Sequence, residues 1–595
     1  MKKLCLIACL LLTFLVSGTA QISWQWAHAG GSAGPLMTGT MDLDVCDITT
    51  DKWGNMYVVA DMYTLDMYIA NQTFPGFGDP DALQTCIACF GCDGTLKWYK
   101  MLIGSSSQAI SIKTDTVGGV YVAGAEYISA AAGGRGPDSG YIMNATTTDT
   151  VIAPINGHIG TGDLYRTMYL LKLDTGGAFN WYRWIEPDTT TMFATNESGI
   201  YDMNVDPSGN AYLLCMLKPG LYGGTFVAPD SVVYAPYILK YDPTGVCTGG
   251  FRLPITSVNY QAKLHMTRDS KRNRFYLDGY SGDTAGDTAW IGGVMISGVY
   301  LACFNDTGGM LWMAHDSMTG PVASVQDRVA LDRYGNIYMT GGSQWGVYFN
   351  GTEFTGGGAF AIKLDTNGHN VWVSQCANND AVEGYGIAVS NDTVAVVGMY
   401  STNFMTWGAD TIGGFAPYQT FVCRLDANTG AGIYLDTVRT DGNLCLPASG
   451  GGFVFGSNGS IAADPFGNFY TGGMFTSQIF LAGDTLTNIG SYSNWWVAKL
   501  GTGNCSVPVF ELGSTTLHTG SISVFPNPSY GELNIDGAAL GSVVEVFNAQ
   551  GQIVYSGTIG STLQTLRLNH LNPACYYLRI SDPSGNRSTK TFVLQ

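Results

Sequence analysis

The chain is poor in charge, and the charge it has is lopsided. Only 12% of its 595 residues are Asp, Glu, Lys or Arg, with 28 basic against 46 acidic and a formal net charge of −18. An acidic surface without a basic stripe disfavours nucleic acid and anionic lipid as partners. Heptads and long amphipathic helical runs are missing. So is any apolar stretch after residue 20 that approaches the ~20 residues a membrane-spanning helix needs. The seven histidines are scattered, and there is no His-Glu-x-x-His zinc helix. Neither a phosphate loop nor a Gly-x-Ser-x-Gly elbow in a strand-to-helix setting occurs. Zinc hydrolysis, Ser-triad hydrolysis and nucleotide chemistry are left without support. No catalytic residue, metal site or cofactor is assigned.

What the chain has in quantity is glycine, 79 residues, and tyrosine, 33, within a hydrophobic fraction of 46%, the balance of a turn-rich β protein. A phrase recurs seven times, clearest at Leu331-Asp332-Arg333-Tyr334-Gly335-Asn336-Ile337-Tyr338. Its aromatic position falls at Tyr57, Tyr121, Tyr212, Tyr276, Tyr338, Ala395 and Tyr470. A second phrase is clearest at Lys363-Leu364-Asp365-Thr366-Asn367-Gly368 and runs on to Trp372, with copies reaching Trp98, Trp181, Gly245, Trp312 and Tyr434. In both, Asp bonds back to the turn backbone and Gly supplies positive φ, so each is a hairpin, the second covered by its Trp. A phrase repeating at this spacing is one supersecondary unit copied about an axis.

The ends decide between an open stack and a ring. The seventh unit, through Trp495 and Leu500, lacks its last aromatic strand, and a spare one, Trp24-Gln25-Trp26-Ala27-His28, precedes the first unit. The N-terminal strand is expected to complete the last sheet. That gives an all-β chain with a seven-bladed β-propeller over residues 21–505.

Residues 1–20 read as a secretory signal, Lys2 and Lys3 before an apolar run, with cleavage after Ala20. A linker over 506–520 leads to 521–595, whose period-two alternation predicts a small C-terminal β-sandwich. Cys86, Cys89 and Cys92 are spaced like metal ligands, but strand geometry alternates their faces, so core packing or a disulfide is expected instead. Cys303 and Cys423 read as one column of small buried side chains, and His28 and His315 as structural. Asp51, Asp206, Asp332 and Asp464 read as turn caps rather than Ca²⁺ ligands.

The repeat resembles the bacterial propeller repeat family called SBBP over Trp24 to Cys505. It departs at Gly119, at Arg274 and in the sixth unit, which has no Tyr. The resemblance implies a propeller and assigns no catalytic residue. The tail resembles the type A C-terminal sorting domain of the type IX secretion system of Bacteroidota. The residues that carry the likeness are Pro526-Asn527-Pro528, the Asn-x-x-Gly turn ending at Gly551, Tyr577, and the ending that contains Lys590 and Phe592. Cys575 stands where that family has Gly before the Tyr, which implies an altered turn. The resemblance implies export through the periplasm, passage by the type IX machinery, and removal of the tail by its sortase with release or attachment to surface polysaccharide.

Six Asp-Thr/Ser-apolar triplets, at Thr116, Thr150, Ser231, Thr393, Thr411 and Thr485, resemble O-glycosylation acceptors of exported Bacteroidota proteins. A repeated hairpin turn explains them equally well. The expectation is an exported, non-enzymatic monomer, at the cell surface or released. It would bind a glycan or protein ligand through the loops of one face, the funnel, or the insert around Gly133–Gly136 and Ile155–His158. The alternative is a polysaccharide-degrading hydrolase or lyase.

Overall fold

The computed structural model describes residues 22–32, 44–63, 67–74, 83–103, 106–129, 139–143, 148–152, 164–185, 199–217, 219–229, 235–257, 264–281, 289–296, 298–315, 323–324, 329–343, 347–354, 357–377, 382–413, 418–441, 444–448, 461–489, 493–503, 505, 522–548, 552–561, 563–581 and 587–595. Ala20 and the rest of the expected signal, the linker 506–520, both insert segments, Ser231 and Gly551 lie outside the described residues. Among those described there is no helix. The chain divides into two compact units, Met1–Val507 and Pro508–Gln595.

The larger unit is built from antiparallel four-strand meanders, labelled A to G. Sheet A contains Val45–Thr50, Met56–Tyr63, Leu83–Phe90 and Leu96–Ile103, and sheet B contains Ser106–Thr114, Gly119–Ser129, Leu164–Asp174 and Phe179–Ile185. Sheet C follows with Gly199–Val205, Ala211–Leu217, Ala235–Tyr241 and Cys247–Arg252, and D with Leu264–Asp269, Arg274–Ser281, Gly298–Asn305 and Met310–His315. Sheet E has Ala330–Leu331, Ile337–Ser343, Gly358–Leu364 and Asn370–Gln375, and F has Val382–Ser390, Thr393–Tyr400, Gln419–Asp426 and Gly432–Thr437. Sheet G takes Ile461–Ala463, Phe469–Phe475 and Asn494–Gly501 from late in the unit and its outer strand, Ser23–Ser32, from the beginning. In that pairing Trp26 stands opposite Lys499 and His28 opposite Val497.

Middle strands such as Ala211–Leu217, Gly358–Leu364 and Phe469–Phe475 are buried along their whole length, which is why they read as apolar runs rather than alternations. Their two faces belong to different cores. Tyr57 and Val59 of A pack with Ile112 and Val122 of B, while Met56 and Val58 of A pack with Trp26, Trp495 and Val497 of G. Ala395 and Val397 of F meet Phe469 and Leu500 of G. The first strands touch in the order A, B, C, D, E, F and G, and the first strand of G touches that of A.

Between its second and third strands each sheet carries a small hairpin that the sequence reading missed. In A it is Met67–Ile69 with Gln72–Phe74, and it pairs with the outer strand of G, Tyr68 opposite Gly31. The hairpin of B pairs in the same way with the outer strand of A, Ile142 opposite Leu102. In D, Trp290 pairs with Thr256, just past the outer strand of C.

In the smaller unit, Ser523–Phe525, Glu532–Asp536 and Leu563–Arg567 form one sheet, and Ile553–Thr558, Val543–Phe547, Ala574–Ser581 and Arg587–Leu594 form another. Leu533 and Ile535 of the first share a core with Val544, Leu578 and Phe592 of the second. The altered turn expected at Cys575 is corrected here. Cys575 lies inside a strand, opposite Val593.

Candidate functional site

The repeated Asp is held the same way in sheet after sheet. Asp332 Oδ1 accepts the backbone N–H of Tyr334 at 2.8 Å and of Asn336 at 2.9 Å, while Oδ2 accepts Asn336 Nδ2 at 2.7 Å and the Tyr338 hydroxyl at 3.0 Å. Asp51, Asp206 and Asp464 repeat this set. These oxygens are engaged by their own turns. The departures have local explanations. A Cβ on Gly119 would meet Asp115 Oδ2 at 2.5 Å, so Gly takes the Asn position. In sheet D the Arg272 guanidinium reaches Asp269 at 2.7 Å, and the chain turns through Asn273 at φ 51°. In F, Ser390 pairs directly with Thr393, a turn too short for the cap.

The Trp of the second phrase was expected to cover its own hairpin, but it covers the hairpin of the next sheet. The indole N–H of Trp98 in A donates to Thr175 O in B at 2.9 Å, Trp181 in B to Pro243 O in C at 3.0 Å, and Trp372 in E to Ala427 O in F at 3.0 Å. The turn glycine lies against the ring. A Cβ on Gly177 would come within 2.7 Å of Trp98, and one on Gly368 within 2.7 Å of Trp312. The phrase lysines make the same crossing, Lys172 to Pro243 O at 3.1 Å and Lys363 to Ala427 O at 2.8 Å.

Trp26 and Lys499 of G do this to A, donating to Cys92 O at 2.9 and 3.0 Å. His28 joins them, its Nε2 2.6 Å from Gly94 O and its ring stacked 5.3 Å from Phe90. Cys92 is disulfide-bonded to Cys505, whereas Cys86 and Cys89 fall in separate cores on the two faces of their strand. The shared column read for Cys303 and Cys423 is corrected. The cap after Cys303 is Asn305, not Asp306, so Cys303 faces Tyr276 in register and Cys423 faces Val396, one position off. Both are buried.

A cavity of about 510 Å³ opens where the first strands of A, B, E, F and G end. Its wall is stitched by hydroxyls. Thr50 Oγ1 donates to Ala463 O at 2.8 Å, Thr114 Oγ1 to Thr50 O at 2.8 Å and Ser390 Oγ to Asp464 O at 2.6 Å. Lys52 and Arg333 project from the turns that line it, both exposed. Each lies over the aromatic ring that follows it in sequence, Lys52 Nζ 4.4 Å from the Trp53 centroid and Arg333 Cζ 4.8 Å from that of Tyr334. This patch was not singled out from the sequence, although the two cation–aromatic steps sit at one repeat position. A second cavity, about 520 Å³, lies between C and D beside Arg252, Pro254 and the half-exposed Trp290.

Of the triplet hydroxyls, Thr116 is exposed on the B turn and donates to Pro207 O at 2.7 Å. Thr393 is half-buried at the F turn. Thr411 and Thr485 are exposed on the small hairpins of F and G. Thr150 lies on Thr148–Ile152.

In the smaller unit the opening motif is tied to the final strand. Asn527 Nδ2 donates to Thr591 O at 3.1 Å, and Asn527 Oδ1 accepts the N–H of Val593 at 2.9 Å. Pro526 and Pro528 on either side both follow cis peptide bonds. Phe592 is buried against Tyr576, centroids 5.7 Å apart, while Tyr577 and Lys590 are exposed.

Residues 523–595 match the family described as the Secretion system C-terminal sorting domain. The protein is therefore exported through interaction with the type IX secretion machinery, and is secreted or attached at the cell surface. No curated protein matches the chain. Similar solved structures include PorZ, a surface component of the type IX secretion system of Porphyromonas gingivalis, at 11% identity with 93% of this chain and 75% of that one covered and a TM-score of 0.31. The quinohemoprotein alcohol dehydrogenase of Comamonas testosteroni is similar at 10% identity, with 86% and 80% covered and a TM-score of 0.33. The endosialidase of phage phi92 is similar at 8% identity, with 96% and 87% covered and a TM-score of 0.28. No role passes from these three to this chain.

Proposed function

We propose that the larger unit is a seven-bladed β-propeller of the SBBP type, exported to display or release a rigid, non-enzymatic binding face for a glycan or protein ligand. One observation carries the ring. The G-to-A junction uses the bonds of the internal junctions, a Trp indole and a Lys ammonium donating to the turn of the next sheet. Deleting Ser23–Ser32 removes the indole and the outer strand together, and the expected outcome is a protein that no longer melts cooperatively. A circular permutant opened between two other sheets is expected to fold.

A ligand-binding role suits this architecture because loops of many sheets converge while the sheets stay rigid. The polysaccharide-degrading alternative would require acids free to act, and the Asp carboxylates that line the cavity have oxygens bound to their own turns. Oligosaccharide turnover by the purified chain would overturn the non-enzymatic reading.

The smaller unit is read as a β-sandwich address, with Pro526, Asn527, Pro528, Gly551, Tyr577, Lys590 and Phe592 as its motif and a sortase removing it after passage. A reporter fused to 521–595 is expected outside a type IX-competent cell, and one retained in the periplasm would sink the assignment. Intact mass of the exported, monomeric product tests two modifications together. A chain beginning at Gln21 supports cleavage after Ala20, and added hexose mass supports glycans on the Asp-Thr/Ser triplets.

A further inference from the structure

We propose that the cavity at the turn ends of A, B, E, F and G is the ligand site, and that it takes an acidic oligosaccharide through Lys52 with Trp53 and Arg333 with Tyr334. The proposal rests on the glycan-binding reading above and narrows it to a charge class and a place. Four carboxylates line the cavity, those of Asp51, Asp115, Asp332 and Asp464. Each has both oxygens engaged by donors of its own turn and strand. Lys172 feels Asp115 and Lys499 feels Asp464 as stabilising charges. Lys363 lies over the ring of Tyr338, whose hydroxyl donates to Asp332, and Lys97 donates to Asn55, which donates to Asp51.

Lys52 and Arg333 are the two cations of that lining, and unlike the turn-bound carboxylates both stand exposed. Lys52 spends one donor on Thr116 O at 2.7 Å. The Arg333 guanidinium donates to no group among the described residues, and its planar fork suits a carboxylate or sulfate.

The aromatic partners select sugar over an acidic peptide. Trp53 is 50% exposed and Tyr334 60%, although burial is the usual fate of such rings in this chain. Each lies beneath its cation at 4.4 to 4.8 Å, and its exposed ring surface suits the apolar side of a pyranose. The cation beside it then meets the acid group of the same or the next sugar. Hydroxyls of the cavity wall are occupied with carbonyls, so recognition falls to the rim.

The test uses the full chain and a panel of polygalacturonate, alginate and heparan sulfate, with methyl-esterified polygalacturonate as the uncharged match of the first. Binding of an acidic polymer is expected, weakened by added salt and at least tenfold weaker with the methyl ester. Lys52→Ala with Arg333→Ala is expected to weaken it at least tenfold, and Trp53→Ala with Tyr334→Ala likewise. An unchanged melting temperature keeps these surface variants interpretable. Should either pair leave affinity for the acidic polymer unchanged, or should only uncharged glycans bind, the proposal is overturned while glycan binding stands. If no glycan of either kind binds, the glycan reading falls with it.

Discussion

Asp61 shows how single groups set the pH response of this unit. It is buried on the second strand of A, where its carboxyl meets the Cys46 thiol and, at 3.5 Å, Gln108 Nε2. Burial pushes its carboxyl up from 3.8 to about 7. Because the folded state binds this proton more tightly than the unfolded chain does, stability falls as pH rises from about 4 to about 7 and stays lowered above that. Asp61→Asn is expected to match the native protein near pH 4 and to exceed it by on the order of 2 kcal/mol at pH 8. Urea melts at the two pH values check the sign, and equal gains at both would refute it. Asp332→Ala works in the opposite direction. It strips a turn of four bonds and leaves the Tyr338 hydroxyl near only a distant carbonyl, at a cost of about 2–3 kcal/mol in a chemical melt.

At the scale of the element, the recurring parts are junction pieces. Trp372→Phe keeps an aromatic ring but is smaller and drops the bond to Ala427 O, and is expected to cost about 1–3 kcal/mol. Gly368→Ala meets both φ +85° and the Trp312 ring at 2.7 Å, so it should cost about 2–3 kcal/mol. A Gly368→Ala protein as stable as the native one would mean the ring can move aside. Both phrases, their Asp caps and the completing role of Trp26 could be read from the chain because each rests on contacts within about ten residues or on a strand count. That the Trp serves the following sheet could not, since nothing local separates its own hairpin from the next.

The small hairpins between second and third strands also escaped notice. Their strands are three or four residues long in A and C to G, too short for a periodicity signal. Their turns use different residues, Ala70-Asn71, Gly292-Gly293, Asn350-Gly351 and Ala482-Gly483, united only by positive φ at consecutive positions. The Lys52 and Arg333 patch was hidden for a related reason. Lys52 and Arg333 are 281 positions apart in sequence and share a cavity only once the sheets have closed up.

For the molecule as a whole, the Cys92–Cys505 bond joins positions 413 residues apart. Constraining so long a loop in the unfolded chain stabilises the folded one by roughly 2–5 kcal/mol. Cys92→Ser with Cys505→Ser is expected to lower the melting temperature without altering strand content, and reductant should do the same to the native protein alone. Neither change moving the melt would show that the junction relies on Trp26 and Lys499 unaided.

The cystine also governs how a load travels. An exported chain drawn by its rear would otherwise be gripped at Asn494–Gly501, whose rows of hydrogen bonds to Phe469–Phe475 and Ser23–Ser32 could be unzipped one by one. With Cys505 fastened to the turn that holds Cys92 beneath Trp26, tension passes through a covalent shortcut into two sheets together. A cut anywhere behind Cys505 would leave the last strand as firmly held as before.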